Sequence, residues 1–134
     1  FAPGKELSIM TRVLIIDDEE PIRSMLKLML ERHGYEVDEA PDGMAAIGIY
    51  RQNPADLIIT DLIMPNQDGI GMIIALKKEF PDVKIIAMSG GGLNKPEGYL
   101  KGAKKLGAAC TLAKPIDRDE MLRAIKDVLQ SPSS

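Results

Sequence analysis

Two apolar segments of this sequence are each followed directly by aspartate. The segment 13–16 leads into Asp17 and Asp18, and the segment 57–60 leads into Asp61. Carboxylates that lie close together disfavour one another's ionisation unless a cation offsets their charge. Mg²⁺ suits such a site, because it binds through one or two carboxylates, keeps several waters and accepts phosphate oxygens. If the three acids converge, the chemistry that they favour is metal-assisted transfer of a phosphoryl group onto a carboxylate nucleophile.

Two further polar residues follow apolar segments and suit a bound phosphoryl group. Lys114 could pair with Asp61 and with phosphoryl oxygens, and Ser89 could bond a phosphoryl oxygen through its hydroxyl. Pro115 disfavours helix at Lys114 and is able to form a cis bond, either of which would set the direction of the lysine. Taken singly, each residue has an ordinary interpretation as a helix cap, a turn serine or an exposed lysine. The functional interpretation depends on their occurring together.

The elements that must position these residues alternate along the chain. β-branched apolar runs without polar alternation indicate strands covered on both faces, and apolar residues at helical spacing lie between them. The predicted strands are 12–17, 35–40, 56–61, 83–88 and 109–113, and the predicted helices are 20–33, 42–51, 69–80, 96–106 and 117–129. This alternation predicts an α/β fold with a parallel sheet and helices on both faces. The strand ends that carry the polar residues would then share one edge of the sheet.

Length, charge and composition restrict the class of protein. The 134 residues fit one domain, which we place at 10–130, with 1–9 as a tag remnant or disordered lead-in and 131–134 as a disordered tail. The net charge of −3 argues against a direct nucleic-acid surface, and no apolar run reaches the length of a membrane span. Cys110 is the only cysteine, which favours a reducing, cytoplasmic location. His33 is the only histidine and is interpreted as a helix-end residue.

From residue 10 to about 130 the chain resembles the receiver domains of two-component response regulators. The resemblance rests on four segments in order: Asp17-Asp18, 61–65 (DLIMP) with Asp68-Gly69, Ser89-Gly90 and Lys114-Pro115. It implies a flavodoxin-like, doubly wound, five-stranded parallel sheet of strand order 2-1-3-4-5 with five helices on its two faces.

The resemblance also implies a role for each residue of the acidic site. Asp61 would accept the phosphoryl group, Asp18 would bind Mg²⁺ directly, and Asp17 would bind it largely through water. The backbone carbonyl of Ile63 would supply a further metal ligand, with Asp61 completing the set. Lys114 would bridge to the phosphoryl group.

A sensor histidine kinase or a histidine phosphotransfer domain would be the phosphodonor, and the output protein or domain is not identified by the sequence. On phosphorylation Ser89 would move toward the phosphoryl group and change the surface around the fourth helix, fifth strand and fifth helix, where a homodimer is one option. The family often carries an aromatic switch residue three positions before the lysine, and here that position is Thr111. Threonine is too small to act as a swinging ring, so how Thr111 takes part in the switch stays open.

Three other functions remain as alternatives. A phosphatase on a similar sheet would use Asp61 for turnover, but such enzymes usually carry an acid where this chain has Ile63. A nucleotide or flavin binder would need a phosphate-binding loop after the first strand, where Asp17-Asp18-Glu19-Glu20 would repel phosphate unless a metal intervened. A receiver that serves only as a scaffold would have no reason to keep every site residue. Whether the chain is a stand-alone protein or a domain of a longer regulator is also open.

We predict slow self-dephosphorylation. Ile63 lies two residues after Asp61 and Gly91 lies two after Ser89, and neither side chain can orient a water for attack on an acyl phosphate. The purified phosphoprotein with Mg²⁺ should lose its phosphoryl group over minutes or longer when the intact mass is followed with time. A half-life of seconds would contradict the prediction.

Overall fold

The protein is described by a computed structural model that covers residues 11–64, 67–89, 104 and 107–131, with backbone alone at 63–64 and 67–70. Seven strands and four helices lie in these residues. The strands are β1 (Arg12–Ile16), β2 (Glu36–Ala40), β3 (Leu57–Asp61), β4 (Ile63–Met64), β5 (Gln67–Asp68), β6 (Ile85–Ser89) and β7 (Cys110–Ala113). The helices are α1 (Glu20–Arg32), α2 (Gly43–Gln52), α3 (Gly69–Glu79) and α4 (Arg118–Gln130).

Five of the strands form one parallel sheet in the order β2-β1-β3-β6-β7. This is the order 2-1-3-4-5 that the family resemblance implies. In the register, Asp61 lies opposite Met88, and Ser89 lies opposite Ala113. The carboxyl ends of β3, β6 and β7 therefore lie at the same edge of the sheet, as predicted from the sequence.

The strands are covered on both faces because their side chains alternate between two apolar clusters. Val13 and Ile15 of β1 pack in the cluster that contains α1 and α4, whereas Leu14 and Ile16 pack in the cluster that contains α2 and α3. All four side chains are buried. An unbroken apolar run is therefore the correct signature of this strand, and the predicted fold class is confirmed.

Two aspartates define where helices begin. The Asp42 carboxylate accepts a hydrogen bond from the Ala45 amide, and the Asp117 carboxylate accepts one from the Glu120 amide, each at 2.9 Å. Such caps satisfy amides that have no partner inside the helix. The predicted cap at Asp117 is confirmed. The helix predicted to start at Asp42 starts one residue later, because Asp42 has extended backbone and serves as the cap.

One predicted helix lies outside the described residues, and one pair of observed strands was not predicted. Four of the five expected helices lie in the described part of the chain, and the fifth, predicted over 96–106, falls outside it except for Lys104, which is helical. The interpretation of 1–9 also falls outside it, as does that of the tail 131–134 except for Ser131, whose amide donates to the Asp127 carbonyl at the end of α4. The antiparallel hairpin of β4 and β5 was not predicted, because two-residue strands carry no periodicity to detect. No helix among the described residues is long and apolar enough to cross a membrane.

The outer strand β2 is acidic and is held by two arginines. Arg12 of β1 pairs with Glu36 and with Asp38, each at 3.0 Å. Arg23 of α1 pairs with Glu39, also at 3.0 Å. The two arginines thus bind opposite ends of the same strand, one near its start and one near its carboxyl end.

Replacement of Leu26 by alanine should destabilise the fold strongly, because this α1 side chain is fully buried. The expected loss in the free energy of unfolding is about 2–5 kcal/mol, measured by urea denaturation. Leu28→Ala is the matched control, since Leu28 lies on the same helix with 52% of its surface exposed. Equal losses in the two variants would show that this face of α1 has been assigned wrongly.

Candidate functional site

Three carboxylates meet at the carboxyl ends of β1 and β3. Asp17 and Asp18 follow β1 directly, and Asp61 is the last residue of β3. One oxygen from each of these residues lies within 4.8 Å of the others. Asp17 and Asp61 are buried, whereas Asp18 is exposed. The structure therefore brings together the three acids that the sequence analysis singled out, with one open side toward solvent.

Lys114 supplies a positive charge between the two buried acids. It follows β7, and its Nζ lies 2.9 Å from Asp17 Oδ2 and 3.3 Å from Asp61 Oδ2. Its side chain is only 12% exposed. Burial on its own would lower the pKa of Lys114, but the hydrogen bond to Asp17 and the charge of Asp61 outweigh it and raise the pKa. Lys114 is therefore a charged ammonium at neutral pH. The Lys114–Pro115 bond is cis, one of the alternatives that the sequence left open.

Every polar atom of Asp17 has a partner. Its carboxylate accepts from the Glu19 amide at 2.9 Å through Oδ1 and from Lys114 through Oδ2. Its amide donates to the Ala40 carbonyl at 3.2 Å, and its carbonyl accepts from Arg23 Nη1 at 2.8 Å. A buried carboxylate is stable only with such compensation. Asp17 is thus rigidly placed before any ligand arrives.

Sequence reasoning missed two residues of this surround, Glu19 and Arg23. Glu19 was interpreted only as one of four acids that would repel phosphate, yet its amide donates to Asp17 and its carboxylate lies 3.9 Å from Lys114 Nζ. Arg23 stands in the first turns of α1 and points back to the loop. No spacing rule signals such a contact, because it depends on how α1 packs on the sheet.

Of the remaining predicted site residues, Ser89 lies at this edge, whereas Thr111 lies two residues before the end of β7. Ser89 is the buried last residue of β6, and its carbonyl accepts from the Lys114 amide at 2.8 Å. Thr111 lies in β7 opposite Ala87 and is partly buried. Ile63 opens β4, two residues after Asp61.

The donor set fits a hard divalent cation. Carboxylate oxygens are the ligands that Mg²⁺ prefers, and Asp17, Asp18 and Asp61 form the one group of three or more potential metal ligands within the described residues. In the part of the chain that the structure describes, carboxylates outnumber the one ammonium that contacts them, so the site favours a cation. Asp18, the exposed acid, lies on the side from which a hydrated ion would enter.

The lone histidine and the lone cysteine lie apart from this site. His33 follows α1 as its cap residue, and its Nδ1 lies 3.0 Å from the Met29 carbonyl, in line with the helix-end interpretation. Cys110 is partly buried in β7, and burial raises the pKa of its thiol. A thiol with a raised pKa is a poor nucleophile at neutral pH.

Comparisons with known proteins define the class. The sequence model for the response regulator receiver domain matches residues 13–126. Sporulation initiation phosphotransferase F of Bacillus subtilis is 31% identical over 123 residues, which cover 92% of this chain and 97% of that protein.

Solved structures agree with this assignment. A response regulator receiver domain from Clostridium thermocellum is 30% identical with a TM-score of 0.82, over 90% of this chain and 94% of that one. The response regulator TrrA of Thermotoga maritima, solved in complex with Mg²⁺-BeF, is 29% identical with a TM-score of 0.76, over 89% and 99% of the two chains. The chain belongs to the response regulator receiver domain family, and is thus a receiver domain of two-component signalling.

Replacement of Lys114 by methionine should destabilise the protein, because the buried Asp17 and Asp61 lose the ammonium between them. We expect a loss of roughly 1–3 kcal/mol by urea denaturation at pH 7 in the presence of EDTA. Since the pKa of Lys114 is raised in the folded state, its contribution is complete below about pH 10.4 and is lost as the pH rises further. The difference between variant and wild type should therefore shrink at high pH.

The matched control for this measurement is Lys126→Met. Lys126 is exposed on α4 and has no ion pair in the described part of the chain. Its replacement should change stability by no more than about 0.5 kcal/mol. If both variants lose the same amount at pH 7, the ammonium of Lys114 does not stabilise the acidic site.

Proposed function

We propose that this receiver domain is a phosphorylation-controlled switch, in which Asp61 takes a phosphoryl group from a histidine kinase or a histidine phosphotransfer protein. The observation that carries the proposal is the meeting of three carboxylates within 4.8 Å, with the Lys114 ammonium in contact with two of them. An ordinary helix cap or loop aspartate would not need that arrangement. The chemistry of this edge suits a doubly negative phosphoryl group that arrives with a divalent metal.

In the proposed reaction an oxygen of Asp61 attacks the phosphorus of a phosphohistidine. The new O–P bond gives an acyl phosphate, and the P–N bond breaks with its electron pair going to the imidazole nitrogen, which takes a proton. Asp61 is suited to be the nucleophile because it ends β3 at the edge of the sheet. Lys114 lies 3.3 Å from Asp61 Oδ2, so its ammonium would be close enough to pair with the phosphoryl oxygens after transfer. Ser89, at the end of the neighbouring strand β6, would donate a hydrogen bond from its hydroxyl to the phosphoryl group.

The residues proposed to hold Mg²⁺ are Asp17, Asp18, Asp61 and the backbone carbonyl of Ile63. When bound, Mg²⁺ would screen the phosphoryl charge and stabilise the charge of the transition state. All polar atoms of Asp17 have hydrogen-bond partners, so its carboxylate would present a fixed oxygen position to the Mg²⁺ site. Asp18 is exposed and would bind the ion directly.

The proposed output is a change of surface rather than turnover of an outside substrate. Movement of Ser89 and Lys114 toward the phosphoryl group would alter the contact between β6 and β7, which are joined there by the Lys114 amide and the Ser89 carbonyl. The affected surface would comprise the helix predicted over 96–106, β7 and α4. Thr111, in β7, would transmit the change without an aromatic ring. A cytoplasmic partner that distinguishes the two surfaces would be the output.

The direct test is incubation with acetyl phosphate and Mg²⁺, followed by intact mass measurement. We expect one added phosphoryl group in the wild type, none in Asp61→Asn, and little addition when EDTA replaces Mg²⁺. A purified histidine kinase with its phosphorylated histidine serves as a second donor, so that selectivity among donors is not mistaken for inactivity.

Asp56→Asn is the matched control, because Asp56 is also an aspartate next to β3 but lies at its opposite end, where it accepts from the Arg12 amide. It should be phosphorylated like the wild type. No added mass with either donor would overturn the proposal, and continuous phosphate release without a lasting adduct would favour a phosphatase.

A further inference from the structure

We infer that Arg23 is the positioning residue for the acid pair of the metal site, acting through the carbonyl of Asp17. This inference rests on the proposed Mg²⁺ site and adds a residue of α1 to it. Arg23 Nη1 donates to the Asp17 carbonyl at 2.8 Å, and Arg23 Nε pairs with Glu39 at 3.0 Å. The arginine therefore joins the loop after β1 to the end of the outer strand β2.

The position of the Asp17 carbonyl determines where the backbone of Asp18 lies. A peptide group is planar, so the Asp17 carbonyl, the Asp18 amide and the Asp18 Cα move as one unit. The Asp18 side chain is exposed and makes no hydrogen bond or ion pair with the described residues. Its position is therefore determined by its own backbone, and Arg23 holds that backbone.

Arg23 is itself built for a fixed geometry. Only 15% of its side chain is exposed, and the planar guanidinium directs its two contacts along separate directions. Its partner Glu39 is held from a second side by Lys27 at 3.4 Å. A surface arginine paired for solubility would not have one donor turned inward to a backbone carbonyl beside a candidate metal ligand. The arrangement matches the rule that groups outside the ligand set orient the ligands.

The charge of Arg23 and its contact with the Asp17 carbonyl predict opposite changes in Mg²⁺ affinity when the arginine is replaced. Removal of a positive charge near a cation site would, by Coulomb's law alone, strengthen cation binding. Loss of the contact with the Asp17 carbonyl would instead loosen Asp18 and weaken binding. The sign of the change therefore separates the two effects.

The chain contains a matched control, Arg12. This residue also makes ion pairs with β2, to Glu36 and Asp38 at 3.0 Å each, but at the end of the strand away from the acids. Arg12→Met removes the same charge and two ion pairs with β2, whereas Arg23→Met removes one. It should lower stability without a specific effect on the metal site.

The experiment measures Mg²⁺ affinity by calorimetric titration of the whole chain with MgCl₂. Arg23→Met should weaken binding by about tenfold, in the range known for residues that orient metal ligands, while Arg12→Met stays close to the wild type. Arg23→Lys keeps the charge and one of the two contacts, so its affinity should fall between those of Arg23→Met and the wild type. Unchanged or tighter binding in Arg23→Met would overturn the inference.

A second measurement is independent of metal. The Glu19 amide donates to Asp17 Oδ1, so its hydrogen exchange in EDTA reports how firmly the acid loop is held. This exchange should be faster in Arg23→Met than in Arg12→Met at matched global stability, and equal rates would count against the inference. If the wild type itself binds no Mg²⁺, the proposed metal site fails, and that result is distinct from a wild type that binds while Arg23→Met binds equally well.

Discussion

The central constraint on this molecule is electrostatic repulsion among carboxylates that the fold forces together. A parallel sheet with aligned carboxyl ends brings Asp17 and Asp61 into a buried edge, where water cannot screen them as it would in solution. The Lys114 ammonium offsets part of this repulsion, and the Glu19 amide, which donates to Asp17, offsets a further part. The remaining negative charge is what makes the edge suited to a cation and then to a phosphoryl group.

The sheet order makes this arrangement possible. β1 and β3 are neighbours although α1, β2 and α2 lie between them in the chain. β7 is separated from β3 by β6, and Lys114, which follows β7, reaches across to Asp17 and Asp61. In the described part of the chain, the crossovers through α1, α2 and α3 cover the faces of the sheet, so the apolar clusters and the acidic edge come from the same topology. Function at this edge therefore depends on the core that lies beneath it, and much of the chain serves to keep a few polar atoms in register.

Much of this organisation was predictable from the sequence. Unbroken apolar runs at 13–16 and 57–60 identified central strands, and the aspartates after them identified the site. Strand β2 was predictable as an element, but the pairing of Glu39 with Arg23 was not, because it depends on how α1 lies across the sheet. Boundaries also shifted by one or two residues where a side-chain cap, as at Asp42, decides the start of a helix. The β4–β5 hairpin was missed since two-residue strands carry no pattern.

The acidic composition of β2 has a consequence for self-association. A strand at the border of a sheet exposes backbone groups that can recruit a second chain, and natural proteins guard such borders with charge. Here Glu36, Asp38 and Glu39 occupy three of the five positions, so two copies of β2 laid side by side would bring like charges together. Arg12 and Arg23 hold the strand in place by binding these acids within the same molecule. The acidic side chains of β2 therefore disfavour this strand as the contact between two copies.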